Sequence, residues 1–427
     1  MKNLIGVLSA LLMMQACARV ESKKPTSSPA NDGDSAAVTQ AKLTPEEISR
    51  YRQMVKSHLD ATLFGKTRFN GQILVAKNGQ IVYEDYVGFT DPRLKRDSIT
   101  SSSPLHLASV SKTFTGMAVL KLWEQGKLNI DDTVGRYLPG FPCRGVTVRM
   151  LLNHRSGIPK YDHYMEEMGW DKKRLVTNQD VLDFLIARHD EIPIGTPNRG
   201  FSYSNTNFAL LALIVEKVSG LSYPNFMKKT FFDPLGMKDT YVFTMADSAR
   251  YVPSFHYNNR AYAFEFLDLV YGDKNIYSTV RDLLKWDQAL KRNGFYQKGT
   301  LEAAYSGYSF EKPGTHNYGL GWRMYLLKNG KKLIYHNGWW HGNRTAFYRM
   351  LDEDAVIICL SNNDDRYVYK VKQMADIFGD YMQGGNKYDE DDNNPNQLAD
   401  ATPAPPVRKR HTTTKKKSSR RHSTAKR

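Results

Sequence analysis

The sequence predicts a mixed α/β fold of the α+β kind: one central antiparallel sheet flanked by helices, with a mostly helical region inserted into it. Three observations predict it. Asn78-Gly79 and Asn329-Gly330 each stand between β-rich runs, at 72–83 and 324–335, which is the strongest short-range hairpin signal. Strand-like runs follow the second hairpin at 345–351 and 355–360, and a last helical segment is expected from about Tyr367 to Tyr381. Between 105 and 300 the pattern is mostly helical with Gly/Pro-punctuated loops. A sheet built from the two ends of the domain, with helices between, satisfies all three.

In chain order, Lys2 precedes an eleven-residue apolar run, Leu4 to Met14, that is too short to span a bilayer. Gln15-Ala16-Cys17 follows and resembles a bacterial lipobox, with Met14 where Leu is more usual. Residues 1–17 are therefore expected to be a lipoprotein signal peptide with Cys17 as the lipidated residue. The alternative is an ordinary secretory signal cut near Ala16 or Ala18. Residues 18–42 are rich in Ser, Pro, Ala, Lys and Asp, lack aromatics, and read as a flexible tether.

The folded domain is expected over 43–385. It opens on Thr44-Pro45-Glu46-Glu47, an N-cap, a first-turn proline and a capping-box Glu in the right order. Ile48, Tyr51, Val55, Leu59 and Leu63 continue at helical spacing. Residues 386–427 are expected to be a disordered tail, acidic at 389–392, Pro-rich at 402–406 and strongly basic from 408.

The 427 residues are 41% hydrophobic, 12% aromatic and 24% charged, which excludes a wholly disordered or fibrous chain. The net charge of +16 is mostly local: residues 408–427 hold ten Lys and Arg and no acid, and without them the first 407 residues carry +6. The basic balance thus describes the tail and says little about the body. After Cys17 only Cys143 and Cys359 remain; two buried free thiols are expected, with pairing left open. No Cys/His cluster has zinc spacing, so no structural metal is expected.

Three short elements can carry chemistry. Ser109-Val110-Ser111-Lys112 is expected to open an amphipathic helix with Phe114, Met117, Leu120 and Trp123. Three residues apart on a helix, Ser109 and Lys112 share a face, so the amine can reach the hydroxyl. A serine hydroxyl needs a neighbouring base to become a nucleophile, and a lysine stripped of its proton by burial can serve. The ordinary structural reading is a capping serine beside a solvated lysine.

Tyr203-Ser204-Asn205 stands between Gly195-Thr196-Pro197 and an apolar run at 208–214. A tyrosine beside an ammonium can move protons, and an Asn amide can hold a substrate carbonyl. Tyr257-Asn258-Asn259 matches the same pattern, and the setting at a loop-to-helix junction favours Tyr203. His336-Asn337-Gly338-Trp339 follows the strand residues 333–335. A glycine there would let substrate approach the strand backbone. The N–H groups of Ser109 and Trp339 could then form an oxyanion hole.

In this order, S-x-x-K, Y-x-N and H-x-G strongly resemble the serine β-lactamase and penicillin-recognising superfamily, with a class C-like branch the most similar. The loop Leu151-Leu152-Asn153-His154-Arg155-Ser156-Gly157-Ile158-Pro159, the stretch 233–237, and 272–279 with Asp282 and Trp286 are also similar to family signatures. The resemblance spans roughly 60–382. It implies a β-lactamase/transpeptidase-like fold and an acyl-enzyme serine hydrolase, with Ser109 as nucleophile and Lys112 and Tyr203 activating it. Asn205, His336 and Gly338 would bind substrate, and the N–H groups of Ser109 and Trp339 would hold the oxyanion.

Where β-lactamases usually have Lys-Thr-Gly, this chain has His336-Asn337-Gly338. A histidine is charged only part of the time near neutral pH, which argues against efficient β-lactam hydrolysis and toward esters or D-amino-acid amides and peptides. The expected partners are a small-molecule or peptide substrate, the membrane through the N-terminal lipid, and anionic envelope polymers through the basic tail. No nucleic acid, metal or organic cofactor is expected, and the location is the cell envelope. A non-enzymatic peptidoglycan-binding or sensing protein on the same fold is the alternative.

Overall fold

The computed structural model describes residues 41–383. The expected signal peptide with Cys17, all but the last two residues of the tether, and the 386–427 tail lie outside the described residues.

The chain begins with α1 (Pro45–Thr62), whose Thr44 cap and Glu47 form the expected capping box. The hairpin of β1 (Gly71–Lys77) and β2 (Gln80–Val87) follows. Asn78 and Gly79 both have positive φ, 51° and 70°, as a two-residue hairpin turn of the primed type requires. Short strands β3 (Phe89–Asp91), β4 (Arg96–Ser98) and β5 (Leu105–His106) lead to a 3₁₀ turn at Ala108–Val110 and to α2 (Ser111–Glu124).

The inserted region carries α3 (Val148–Leu152), α4 (Tyr161–Glu167), α5 (Asn178–Arg188), α6 (Asn205–Ser219), α7 (Tyr223–Met227), α8 (Val280–Lys291) and α9 (Lys298–Ala304). Strands β6 (Tyr241–Val242) and β7 (Ile276–Ser278) join β5 in a small three-stranded sheet, order β5-β7-β6, that the sequence did not suggest. The chain ends with β8 (His316–Tyr318), β9 (Arg323–Leu326), β10 (Lys332–Trp340), β11 (Asn343–Met350), β12 (Ala355–Ser361) and a 3₁₀ helix at Arg366–Ile377.

The main sheet has seven strands in the order β2-β1-β12-β11-β10-β9-β8, and every neighbouring pair is antiparallel. The first hairpin pairs with the last strand, Gly71 opposite Ser361 through Lys77 opposite Ala355, so the domain's ends do close one sheet. Both faces are covered. Ile73 and Val75 of β1 pack with Ala355, Ile357 and Cys359 of β12 against α1 and the final 3₁₀ helix. The alternate residues Leu74, Ala76, Val356, Ile358 and Leu360 face the helical region. Double coverage explains why these strands read as unbroken apolar runs instead of alternating ones.

Four local expectations change. The second hairpin has a longer loop than its Asn-Gly suggests: Leu326 pairs with Lys332, and Gly330 alone takes the left-handed conformation (φ 82°). The last helical segment is 3₁₀ and ends at Ile377. Helix α2 is not amphipathic; residues 111–120 and Leu122 are buried, so it is a central helix wrapped on all sides. The H-x-G residues lie within β10, which continues to Trp340, instead of just beyond a strand end. Cys143 and Cys359 are both buried and unpaired, and burial raises both thiols, that of Cys143 to about 11.

Candidate active site

Ser109 sits in the 3₁₀ turn that feeds α2, behind Ala108, a non-glycine residue with φ 48°. That left-handed backbone costs of order 1–2 kcal/mol, so the surroundings must hold it. Two contacts do so. The Ala108 N–H donates to His106 Nδ1 at 3.0 Å, while His106 Nε2 faces Asn275 Oδ1 at 2.9 Å. Burial lowers His106 to about 4, so the ring is neutral and keeps the acceptor that Ala108 needs. From the other side, Thr345 Oγ1 of β11 donates to Leu107 O at 2.8 Å.

Gly338 belongs to this same clamp. A Cβ built on it would lie 2.5 Å from Leu107 O and 3.0 Å from Ala108 Cβ, and would strike Thr345 Oγ1. The glycine therefore admits the chain's own Ser109 turn against one face of β10. Its neighbour Trp339 continues the same strand past this turn. Tyr369 of the final 3₁₀ helix donates to Gly338 O at 2.8 Å and steadies the strand from behind.

Lys112 is fully buried on α2. Its Nζ lies 3.1 Å from Ser109 Oγ, 2.9 Å from Asn205 Oδ1 and 2.8 Å from Asp273 O. An amide oxygen and a backbone carbonyl can only accept, so they take two N–H bonds whatever the charge state. The third direction faces a hydroxyl, which can accept from an ammonium or donate to a neutral amine. The only flexible proton in this cluster is the one shared by Ser109 and Lys112.

Asn205 is the first residue of α6, and its Nδ2 donates to Asp162 Oδ1 at 3.3 Å, leaving Oδ1 for Lys112. The loop before it is fixed by His154 (φ 58°): His154 O accepts from Ser202 N at 2.8 Å, and His154 Nδ1 accepts from Ser204 N at 3.2 Å. Tyr203, between them, is 3% exposed, and its ring lies 5.0 Å from Lys112 Nζ. Its hydroxyl is buried without a hydrogen-bond partner among the described residues. Tyr257, the competing match, is exposed on another loop near Arg68.

His336 is fully buried, with Nε2 3.1 Å from Tyr318 OH and Nδ1 2.7 Å from Asn337 O. Burial lowers its pKa well below the usual range, and the charges of Arg323 and Lys112 push the same way. The part-time charge expected of this residue is absent near neutral pH. A permanent charge stands next to it instead: Arg323 of β9 has its guanidinium carbon 5.0 Å from the Tyr203 ring centre.

The structure thus gathers Ser109, Lys112, Tyr203 and Asn205, sets Gly338 and Trp339 beside the nucleophile turn, and places His336 beneath Tyr203 as a neutral packing group. Sequence reasoning missed His106, Arg323 and Tyr318, single polar residues in short strands with no motif around them. His154 and Asp273 lay within the family-like stretches, but nothing in those stretches showed that one orients Tyr203-Ser204-Asn205 and the other supplies a carbonyl to Lys112.

The Beta-lactamase family model matches residues 55–375. The chain is 35% identical over 340 residues to Penicillin-binding protein 4* of Bacillus subtilis (strain 168), covering 75% of this chain and 74% of that protein. A penicillin binding protein from Bacillus halodurans superposes with a TM-score of 0.66 at 22% identity, over 76% of this chain and 98% of that one. The D-amino acid amidase from Ochrobactrum anthropi SV3, complexed with L-phenylalanine amide, gives 0.63 at 22%, over 77% and 97%. The last two show a shared fold. With the family match spanning the whole sheet and the helical region that carries the Ser109–Lys112 pair, this chain belongs to the Beta-lactamase family of β-lactamase-related, penicillin-binding-protein-like serine hydrolases.

Proposed function

We propose that the protein hydrolyses amide or ester bonds through an acyl-enzyme on Ser109, with D-amino-acid peptides or amides as the favoured substrates over β-lactams. The observation that carries this reading is the three-way anchoring of Lys112. With Asn205 Oδ1 and Asp273 O taking two N–H bonds, the third direction of Lys112 Nζ is aimed at the Ser109 hydroxyl, the position from which an amine acts as base. Ser109 Oγ attacks the substrate carbonyl as its proton passes to Nζ, and the N–H groups of Ser109 and Trp339 stabilise the oxyanion. The unpartnered Tyr203 hydroxyl is suited to relay that proton to the leaving amine; water then attacks the ester and restores the serine.

Arg323 supports a leaving group with a free carboxylate, because it supplies the fixed positive charge that neutral His336 does not. Hydrolysis of a D-aminoacyl peptide with a free C-terminal carboxylate is compared with that of its C-terminal amide. The free acid is expected to react about tenfold faster by kcat/KM, and Arg323→Gln to erase the difference. Equal rates in the parent protein contradict the preference. We further propose export and lipid anchoring at Cys17, supported by the apolar run 4–14 and Gln15-Ala16-Cys17; Cys17→Ser should move the protein out of the membrane fraction.

A further inference from the structure

Beside the nucleophile turn lies a second concavity that the acylation chemistry does not use. It is a narrow cleft, partly open to solvent. Three of its lining residues are tied to the catalytic frame: His106 holds the Ala108 N–H, Asn275 holds His106, and Trp340 follows the oxyanion donor Trp339 on β10.

Its walls combine two features that seldom occur together. Tyr251, Tyr262, Phe264, Tyr277 and Trp340 present aromatic surface. Acceptors without donors stand among them and next to them. The Asn343 side chain lines the pocket at 4% exposure; its Nδ2 donates to Trp340 O at 3.2 Å, which fixes the amide orientation and leaves Oδ1 buried with no partner. Next to this lining, behind Asp268 and His341, Glu265 is half-buried, and its carboxylate accepts no hydrogen bond among the described residues. One of its oxygens lies within 4.8 Å of a ligand atom of Asp268 and of His341. Asp268 is already engaged by Trp340 Nε1 at 2.7 Å and His341 Nε2 at 3.0 Å.

Aromatic faces attract cations through their quadrupoles, and unpaired acceptors call for N–H donors. An organic ammonium answers both demands at once. A metal ion would use the carboxylates and His341 but not the rings, and an apolar group would leave Asn343 Oδ1 and Glu265 unmatched. The molecule already contains one such arrangement: Lys274 Nζ lies 4.4 Å from the Trp340 ring centre and pairs with Asp273 at 3.3 Å. Burial raises the Glu265 carboxyl, so a bound cation there would also relieve a desolvated acid.

We propose that this pocket binds an organic ammonium group and, resting on the hydrolase reading above, that it takes the amine carried by the acyl half of the substrate. The test follows the indole N–H resonance of Trp340, assigned with Trp340→Phe, during titration with benzylammonium and with uncharged benzyl alcohol. Benzylammonium should shift it saturably and bind at least about tenfold tighter than the alcohol, and Glu265→Gln, checked for an unchanged melting temperature, should remove about that factor. Ser109→Ala should keep the shift, which separates this readout from acylation. In the kinetic arm, a D-aminoacyl thioester with a free acyl-side amine should exceed its N-acetylated counterpart by about tenfold in kcat/KM. Equal binding of alcohol and ammonium, or a saturable response to zinc with none to benzylammonium, overturns the assignment. Failure of both thioesters to acylate Ser109, with the ammonium shift intact, overturns the hydrolase reading and leaves the pocket standing.

Discussion

The two halves of the catalytic site are built by opposite rules. Around Ser109 and Lys112 every polar direction is assigned: Lys112 Nζ has three acceptors, the Ala108 N–H has His106, and Gly338 lets β10 close on the turn. Around Tyr203 and His336 the contacts are mostly between rings, His154 to Tyr203 at 4.3 Å and Tyr318 to His336 at 5.9 Å, and the Tyr203 hydroxyl has no partner. An unsatisfied buried hydroxyl costs about 1–3 kcal/mol; Tyr164 and Tyr241 carry one as well, so what distinguishes Tyr203 is its ring 5.0 Å from Lys112 Nζ. On the proposed mechanism, the saturated half would fix the geometry of attack and the unsaturated half would hold the proton-transfer group.

Replacing Lys112 should break the saturated half most severely. Lys112→Met keeps the buried volume but removes the base, and acylation of Ser109 should fall about a thousandfold or more, measured as the rate of covalent adduct formation. Asn205 Oδ1 and Asp273 O lose their donor as well, so the melting temperature should also drop. A variant that acylates at the parent rate would show that Lys112 is structural.

Acid should loosen both halves together. His106 has a folded pKa of about 4 against about 6.5 in an unfolded chain, and burial depresses His154 and His336 in the same direction. Between those values the unfolded chain binds more protons than the folded one. Stability is therefore full above about pH 6.5 and is lost as pH falls toward 4, by about 3 kcal/mol from His106 alone. Denaturant unfolding at pH 7 and pH 4.5 measures it; equal stabilities would contradict neutral buried rings.

Tyr203→Phe separates the halves. Acylation should fall about a hundredfold, while the melting temperature holds or rises slightly because an unsatisfied hydroxyl is gone. A large loss of stability instead would mean that Tyr203 OH has a structural partner. Gly338→Ala, the smallest side chain that meets Leu107 O and Ala108 Cβ, should destabilise the domain by about 1–3 kcal/mol and slow acylation with it.

Much of the fold was legible because its signals are local. Asn78-Gly79 makes a two-residue hairpin turn, and the capping box at Thr44 starts a helix, from residues adjacent in sequence. The small sheet of β5, β6 and β7 was not legible, since strands of two or three residues carry no periodicity. The meeting of Ser109 and Lys112 was readable from helical spacing and motif order. Their supports were not: His106 meets Asn275 across 169 residues, and Thr345 meets Leu107 across 238, distances over which no pattern in one sequence reports contact. The charge at the substrate end shows the same limit. His336 looked like a switchable cation until burial and Arg323, thirteen residues earlier on a neighbouring strand, made it neutral.

The central claim is that Ser109 is an activated nucleophile made so by Lys112. Intact mass after exposure to a fluorophosphonate tests it, on the parent protein, Ser109→Ala and Lys112→Met, each shown to be folded. The account predicts one phosphonyl adduct on the parent, none on Ser109→Ala and a strongly slowed adduct on Lys112→Met. An unmodified parent, or an adduct that survives Ser109→Ala, would contradict it and favour a binding protein that keeps the fold without the chemistry.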